Sequence, residues 1–114
     1  MQTLSDTHTH LYLPEFDNDR NAMMQRAIEA GVTEIYLPNV DSETMPLMHA
    51  MVDAFPTHCF PMMGLHPCSV KSDTMEEELT LVKYWLDTRD YVAVGEIGLD
   101  LYWDKSTLDI QIEA

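Results

Sequence analysis

Cys59-Phe60-Pro61-Met62-Met63-Gly64-Leu65, the segment from Asp73 to Leu86, and Tyr91-Val92-Ala93-Val94-Gly95-Glu96-Ile97 read as one strand–helix–strand unit. Two short apolar runs flank a segment in which Leu79, Val82 and Leu86 recur at helical spacing, the pattern of parallel strands joined by a crossover helix. Asp73 and Glu76 have the spacing of a capping box at the start of that helix. Glu76, Glu77 and Glu78 lie in its first turn, where the macrodipole favours negative charge. In the last strand Val92 and Val94 alternate with Ala93 and Gly95, so the valines are expected on the face carrying Glu96, with the small residues behind. That arrangement suits a barrel with bulky side chains inside and closely packed helices outside.

The same alternation extends toward the N-terminus. A strand is predicted over about Thr3 to Leu11, and a helix over about Asn18 to Ala30 that Gly31 closes in the C′ position. A second strand follows over about Glu34 to Asn39. The next helix is predicted to start near Ser42 as N-cap, to keep Pro46 in its first turn, and to carry Leu47, Met48, Met51, Val52 and Phe55 at helical spacing before Pro56 stops it. Thr107 to Ala114 read as the opening turns of a fourth helix. Four βα units amount to half of an eight-unit (β/α) barrel, which takes about 250 residues. Residues 1–114 are therefore expected to be an N-terminal half of a TIM barrel, with strands one and four as open edges. A self-contained four-stranded α/β domain is the alternative.

Composition narrows the function. The chain has 114 residues, 46% of them hydrophobic, enough apolar content for one core. No stretch approaches the roughly 18 apolar residues of a membrane span, and the N-terminus lacks a signal-peptide pattern, so no membrane role is expected and the cytosol is the expected location. Cys59 and Cys68 are read as reduced thiols. Twenty acidic against six basic residues give a formal charge of −14, which opposes a sequence-independent grip on a phosphate backbone. A polyanionic substrate would need bound cations to supply local positive charge.

In parallel α/β folds the reactive groups sit at the carboxyl ends of the strands, and His8, His10, His66 and Glu96 all fall there. The His-x-His spacing lets both rings project from one strand face, with Asp6 on the same side. Two neutral imidazoles and a carboxylate suit zinc, manganese or a similar divalent ion, and Glu96 has two oxygens with which to bridge a pair. Such ions lower the pKa of a shared water toward neutrality. An unpaired Glu96 in an apolar strand would cost several kcal/mol in desolvation, and few basic side chains are available to pair with it. His66, in Gly64-Leu65-His66-Pro67, is a candidate contact for substrate or phosphate. Asp6 and Asp100 are candidates for orienting ligands or capping loops. His49, within a helix, and His58, at the wrong end of its strand, are read as structural.

Asp6-Thr7-His8-Thr9-His10-Leu11, Gly64-Leu65-His66-Pro67 and Gly95-Glu96-Ile97-Gly98-Leu99-Asp100 together resemble the TatD-type metal-dependent deoxyribonucleases. The Gly-Glu-Ile-Gly-Leu-Asp run is the specific element; His-x-His is common to the wider amidohydrolase superfamily. The resemblance implies a TIM barrel with two divalent cations (Mg, Mn or Zn). It implies His8 and His10 as ligands of one ion, Glu96 as the bridging and catalytic carboxylate, and hydrolysis of DNA phosphodiesters, often from the 3′ end. Glu96 stands where many amidohydrolases use a carboxylated lysine. In the family two more histidines and an aspartate from strands five, six and eight complete the centre, and these 114 residues contain none of those strands. Two alternatives stay open: hydrolysis of an amide or lactone at the same cations, and a truncated, inactive half-barrel that needs a complementary half.

Overall fold

The computed structural model describes residues 2–114. Four parallel strands, β1 (Leu4–Asp6), β2 (Val32–Pro38), β3 (Cys59–Met63) and β4 (Ala93–Val94), lie in the order β1-β2-β3-β4. They alternate with helices α1 (Arg20–Glu29), α2 (Met45–Ala54), α3 (Met75–Thr88) and α4 (Leu108–Glu113). Short 3₁₀ turns at Pro14–Phe16 and Pro67–Ser69 follow the first and third strands. Sequential order in a parallel sheet with helical crossovers is the topology of a half-barrel.

One face of the sheet carries the core. Ile35 and Leu37 of β2 and Cys59 and Met63 of β3 are buried against Met24 of α1, Met45, Met48 and Met51 of α2, and Val82 of α3. Alternation puts Glu34, Tyr36, Phe60 and Met62 on the opposite face, where Tyr36 stacks on Phe60 at 5.3 Å and Ser5 of β1 donates to Glu34 at 2.7 Å. On this second face Glu34 is exposed and Tyr36, Phe60 and Met62 are half-buried; in a closed barrel it is the interior. Gly31 ends the α1 unit with φ 96°, a left-handed conformation suited to glycine after a helix.

Several local expectations are corrected. Strand one ends at Asp6, so His8 and His10 belong to the following loop, whose backbone is tied to β2 by the Thr9 amide donating to the Tyr36 carbonyl at 3.1 Å. Helix α2 starts two residues later than predicted, with Thr44 at its N-cap position. Asp41 instead accepts from the amides of Glu43 and Thr44, and Ser42 spends its hydroxyl and amide on Glu78 of α3. Glu78 is thus a tie between helices as well as a favourable charge in a first turn. The Asp73/Glu76 capping box does not form; Thr74 is the N-cap residue and makes no side-chain cap.

Strand four shows the largest difference. Only Ala93 and Val94 are strand, and their register opposite Met62 and Met63 puts Ala93 on the open face and Val94 on the helix side. A Cβ on Gly95 would meet the Met62 side chain, which agrees with that parity. Val94 is therefore turned to the helix side and not into the barrel interior. Alternation stops at Gly95, where the chain leaves the ladder through a cis Gly95–Glu96 peptide.

Candidate metal centre

Glu96 reaches the site because three strand ends converge on one buried residue, through its backbone and its side chain. Asn39, immediately after β2, is fully buried. Its amide donates to the carbonyls of Met62 and Gly95, both at 3.1 Å, and its carbonyl accepts from the Glu96 amide at 3.1 Å. Its Nδ2 donates to the Gly64 carbonyl at 2.9 Å and its Oδ1 accepts from Thr44 at 2.9 Å. Gly64 is needed for the approach, since a Cβ there would lie 2.8 Å from the Glu96 carbonyl oxygen and from the Gly95 carbonyl carbon. Asn39 and Gly64 hold Glu96 by its backbone and leave its carboxylate free.

The His-x-His loop is fixed from the other side. Arg20, at the start of α1, donates through Nε to the Leu11 carbonyl at 2.8 Å, and through Nη2 to the carbonyls of Tyr12 and Leu13 at 3.1 and 2.7 Å. Tyr12 is 1% exposed, and its hydroxyl donates to the Pro38 carbonyl. That hydroxyl has one proton, and it is used. The 2.9 Å contact between Tyr12 and His10 Nδ1 must then be a donation by Nδ1–H, which leaves the lone pair of His10 on Nε2. Burial lowers the pKa of His10, outweighing the opposing pull of Glu96, and His8 and His66 lower it further.

Three ring nitrogens surround the Glu96 carboxylate. His8 Nε2 and His10 Nε2 lie 3.2 and 3.4 Å from Oε2, and His66 Nε2 lies 3.2 Å from Oε1. The side chain of Glu96 is 23% exposed, yet its Oε2 atom is buried and accepts no hydrogen bond. A neutral His10 turns a lone pair toward that oxygen, an arrangement that is repulsive unless a cation lies between donors. This orphaned oxygen is the structural sign that the His8, His10 and Glu96 set fits a divalent metal, and their ligand atoms all lie within 4.8 Å of one another.

His66 is held differently. Its Nδ1 accepts from the Cys68 amide at 3.0 Å, so in the neutral ring the proton sits on Nε2, facing Glu96 Oε1. That tautomer makes it a hydrogen-bond donor into the site. Asp6 accepts from the His8 amide at 3.2 Å, and Asp100 from the Tyr102 amide at 2.9 Å; each shapes its own loop and neither touches a ring of the centre. His49 and His58 lie apart from this cluster, bonded to the Tyr91 hydroxyl at 2.7 Å and the Thr33 carbonyl at 2.8 Å. Both cysteines are free thiols.

Sequence reasoning missed Tyr12, Arg20 and Asn39. Tyr12 had a signal, an aromatic hydroxyl two residues after the His-x-His pair; Asn39 had a weaker one, an amide side chain closing an apolar strand.

A parallel half-barrel with imidazoles and a carboxylate converging at its carboxyl rim is the architecture of the metal-dependent hydrolases built on (β/α) barrels. Comparison with known proteins narrows that class. The family model described as TatD related DNase matches residues 5–114. The metal-dependent hydrolase YabD of Bacillus subtilis, itself uncharacterized, is 34% identical over 110 residues, covering 96% of this chain and 42% of that protein. The 3′-5′ ssDNA/RNA exonuclease TatD of Pectobacterium carotovorum is 28% identical over 111 residues, again 96% and 42%. The crystal structure of YjjV, a TatD homolog from Escherichia coli, superposes with a TM-score of 0.78 at 34% identity, over 96% of this chain and 42% of that one. The chain belongs to the TatD-related DNase family. It spans about two-fifths of the length of the relatives it matches.

Proposed function

We propose that this chain contributes the first half of a metal-dependent phosphodiesterase centre acting on single-stranded nucleic acid. The observation that carries the reading is the buried, unpartnered Oε2 of Glu96 between the Nε2 atoms of His8 and His10. His8, His10 and Glu96 would hold a divalent cation, with a second oxygen of Glu96 available to bridge to another; two imidazoles and a carboxylate suit zinc or manganese better than magnesium. Such ions, when bound, make water a nucleophile near neutral pH and stabilise negative charge on phosphate oxygens.

The protein's own groups do the rest. Tyr12 keeps the His10 proton on Nδ1, so Nε2 stays available at neutral pH. Nε2–H of His66 would donate to a phosphate oxygen brought beside Glu96, adding a hydrogen bond where negative charge grows. Asn39 and Gly64 keep the Glu96 backbone from moving as its carboxylate changes partners. Phosphodiester rather than amide hydrolysis is favoured by the TatD exonucleases among the relatives, which are named for single-stranded DNA and RNA.

Three donors leave most coordination positions of a two-cation centre unfilled, so full turnover requires further ligands from a complementary half-barrel. The open face of the sheet, with Glu34, Tyr36, Phe60 and Met62, is the surface that half would close. The test is shortening of a 5′-labelled single strand with a free 3′ end by the chain joined with the remainder of the barrel. Cleavage should need added divalent metal and should be lost in His8→Ala/His10→Ala; cleavage unchanged in that double variant would overturn the reading. The same preparation should leave amide and lactone substrates untouched.

A further inference from the structure

The loop after Glu96 carries two large aromatic side chains almost wholly in water. Tyr102 and Trp103 are each 81% exposed, with ring centroids 4.7 Å apart and planes at 82°. Loose loops are a poor place for such groups, but this one is braced. Buried Gln111 of α4 donates to the Asp100 carbonyl and accepts from the Asp100 amide, both at 2.9 Å. Asp100 accepts from the Tyr102 amide and Asp104 from the Ser106 amide, so the turns on either side of the two rings are fixed.

The platform is continuous with the candidate centre. Trp103 lines a shallow cavity with Cys68, Lys71, Asp100 and Asp104. Ligand atoms of His66, Cys68 and Asp100 lie within 4.8 Å of one another, and His66 Nε2 lies 3.2 Å from Glu96. The path from Glu96 through His66 to Trp103 is thus unbroken.

Charge marks the same place. Of the six basic residues, Arg20, Arg26, Lys83 and Arg89 are each paired with an aspartate. Among the described residues only Lys71 and Lys105 are in no ion pair, and one lines this cavity while the other follows Trp103 by two positions. One oxygen each of Asp100 and Asp104 is engaged by a backbone amide, and the two lysines place positive charge beside them in a chain of formal charge −14. Exposed π-faces beside free lysines are the chemistry that holds a single strand, bases stacking and phosphates meeting cations.

We propose that Tyr102 and Trp103, flanked by Lys71 and Lys105, form a stacking platform for the bases of a single-stranded nucleic acid whose scissile phosphate lies at His66 and Glu96. The inference rests on the phosphodiesterase reading above and adds the residues that would position the strand.

Binding is read without turnover, by the anisotropy of a labelled oligothymidylate of about 12 residues in the presence of a chelator. Trp103→Ala should weaken binding about tenfold and Trp103→Phe should restore most of it. Lys71→Ala with Lys105→Ala should flatten the logarithmic salt dependence by about 0.7 per lysine lost. An abasic strand of the same length should bind wild type and Trp103→Ala alike. Unchanged affinity in Trp103→Ala, or Trp103 fluorescence that responds to protein concentration and not to oligonucleotide, would overturn the proposal and mark the rings as a protein contact. A repeat with manganese and a cleavage-resistant phosphorothioate strand separates this from failure of the underlying reading. If manganese adds nothing in any variant while Trp103→Ala still loses affinity, the platform stands and the cation centre falls.

Discussion

The hydroxyl of Tyr12 sits between His10 Nδ1, 2.9 Å away, and the carbonyl of Pro38, and this link decides which nitrogen of His10 faces Glu96. Because the hydroxyl donates to Pro38, the ring must donate to it, and the Nε2 lone pair is directed into the centre. Tyr12→Phe removes that constraint and leaves a buried carbonyl without its donor. Cation affinity should fall by about 10- to 100-fold, with a stability loss of about 1–2 kcal/mol. A metal-indicator competition titration alongside urea denaturation checks both.

Gly64 permits the approach of β3 to the Gly95–Glu96 backbone, and an added methyl has only backbone atoms to push against. Gly64→Ala should destabilise the fold by about 1–3 kcal/mol and displace Glu96, so that cation affinity falls with stability. Gly98→Ala is the contrasting case: φ is 128° there, but nothing lies within 4 Å of a new Cβ, so it should cost stability through backbone strain alone. Cation binding measured on the folded fraction of both variants tells the two effects apart.

His49 provides a pH signature away from the centre. Burial lowers its pKa from 6.5, and Arg89 pushes in the same direction against Asp53. Its Nε2 is paired with the Tyr91 hydroxyl and its ring lies 4.5 Å from Trp85. The unfolded state therefore binds the proton more readily than the folded one. The contribution of His49 is fully present above its unfolded pKa and is lost as pH falls from about 6.5 through the lower folded value. Chemical denaturation at pH 7.5 and pH 5 should show stability falling with pH, by less in His49→Gln than in wild type. An equal fall in both would mean that other groups carry it.

The legible part of this molecule is what periodicity and local chemistry decide. Leu79, Val82 and Leu86 announced α3, Gly31 announced the end of α1, and the alternation of apolar runs with amphipathic segments announced a parallel sheet in sequential order. That His8, His10, His66 and Glu96 meet at one rim was legible because each follows an apolar run of the parallel sheet. Less visible were the details that tertiary contact decides. Asp73 and Ser42 are sound capping residues by local preference, but Asp41 supplies the hydrogen bonds at the start of α2, and Ser42 is drawn to Glu78 of the neighbouring helix. The face of Glu96 could not be read by counting twos from Val94, because the ladder ends before it and the chain turns. Arg20 and Asn39 act through backbone carbonyls and amides of distant segments, and no spacing in the sequence records such partners.

The central claim is that His8, His10 and Glu96 share a divalent cation. Diffraction from crystals soaked in manganese, collected at an energy where that metal scatters anomalously, tests it most directly. A peak about 2.0–2.2 Å from the Nε2 atoms of His8 and His10 and from a carboxylate oxygen of Glu96 is the predicted result. Full occupancy elsewhere, with Glu96 Oε2 still between two uncoordinated rings, would contradict it.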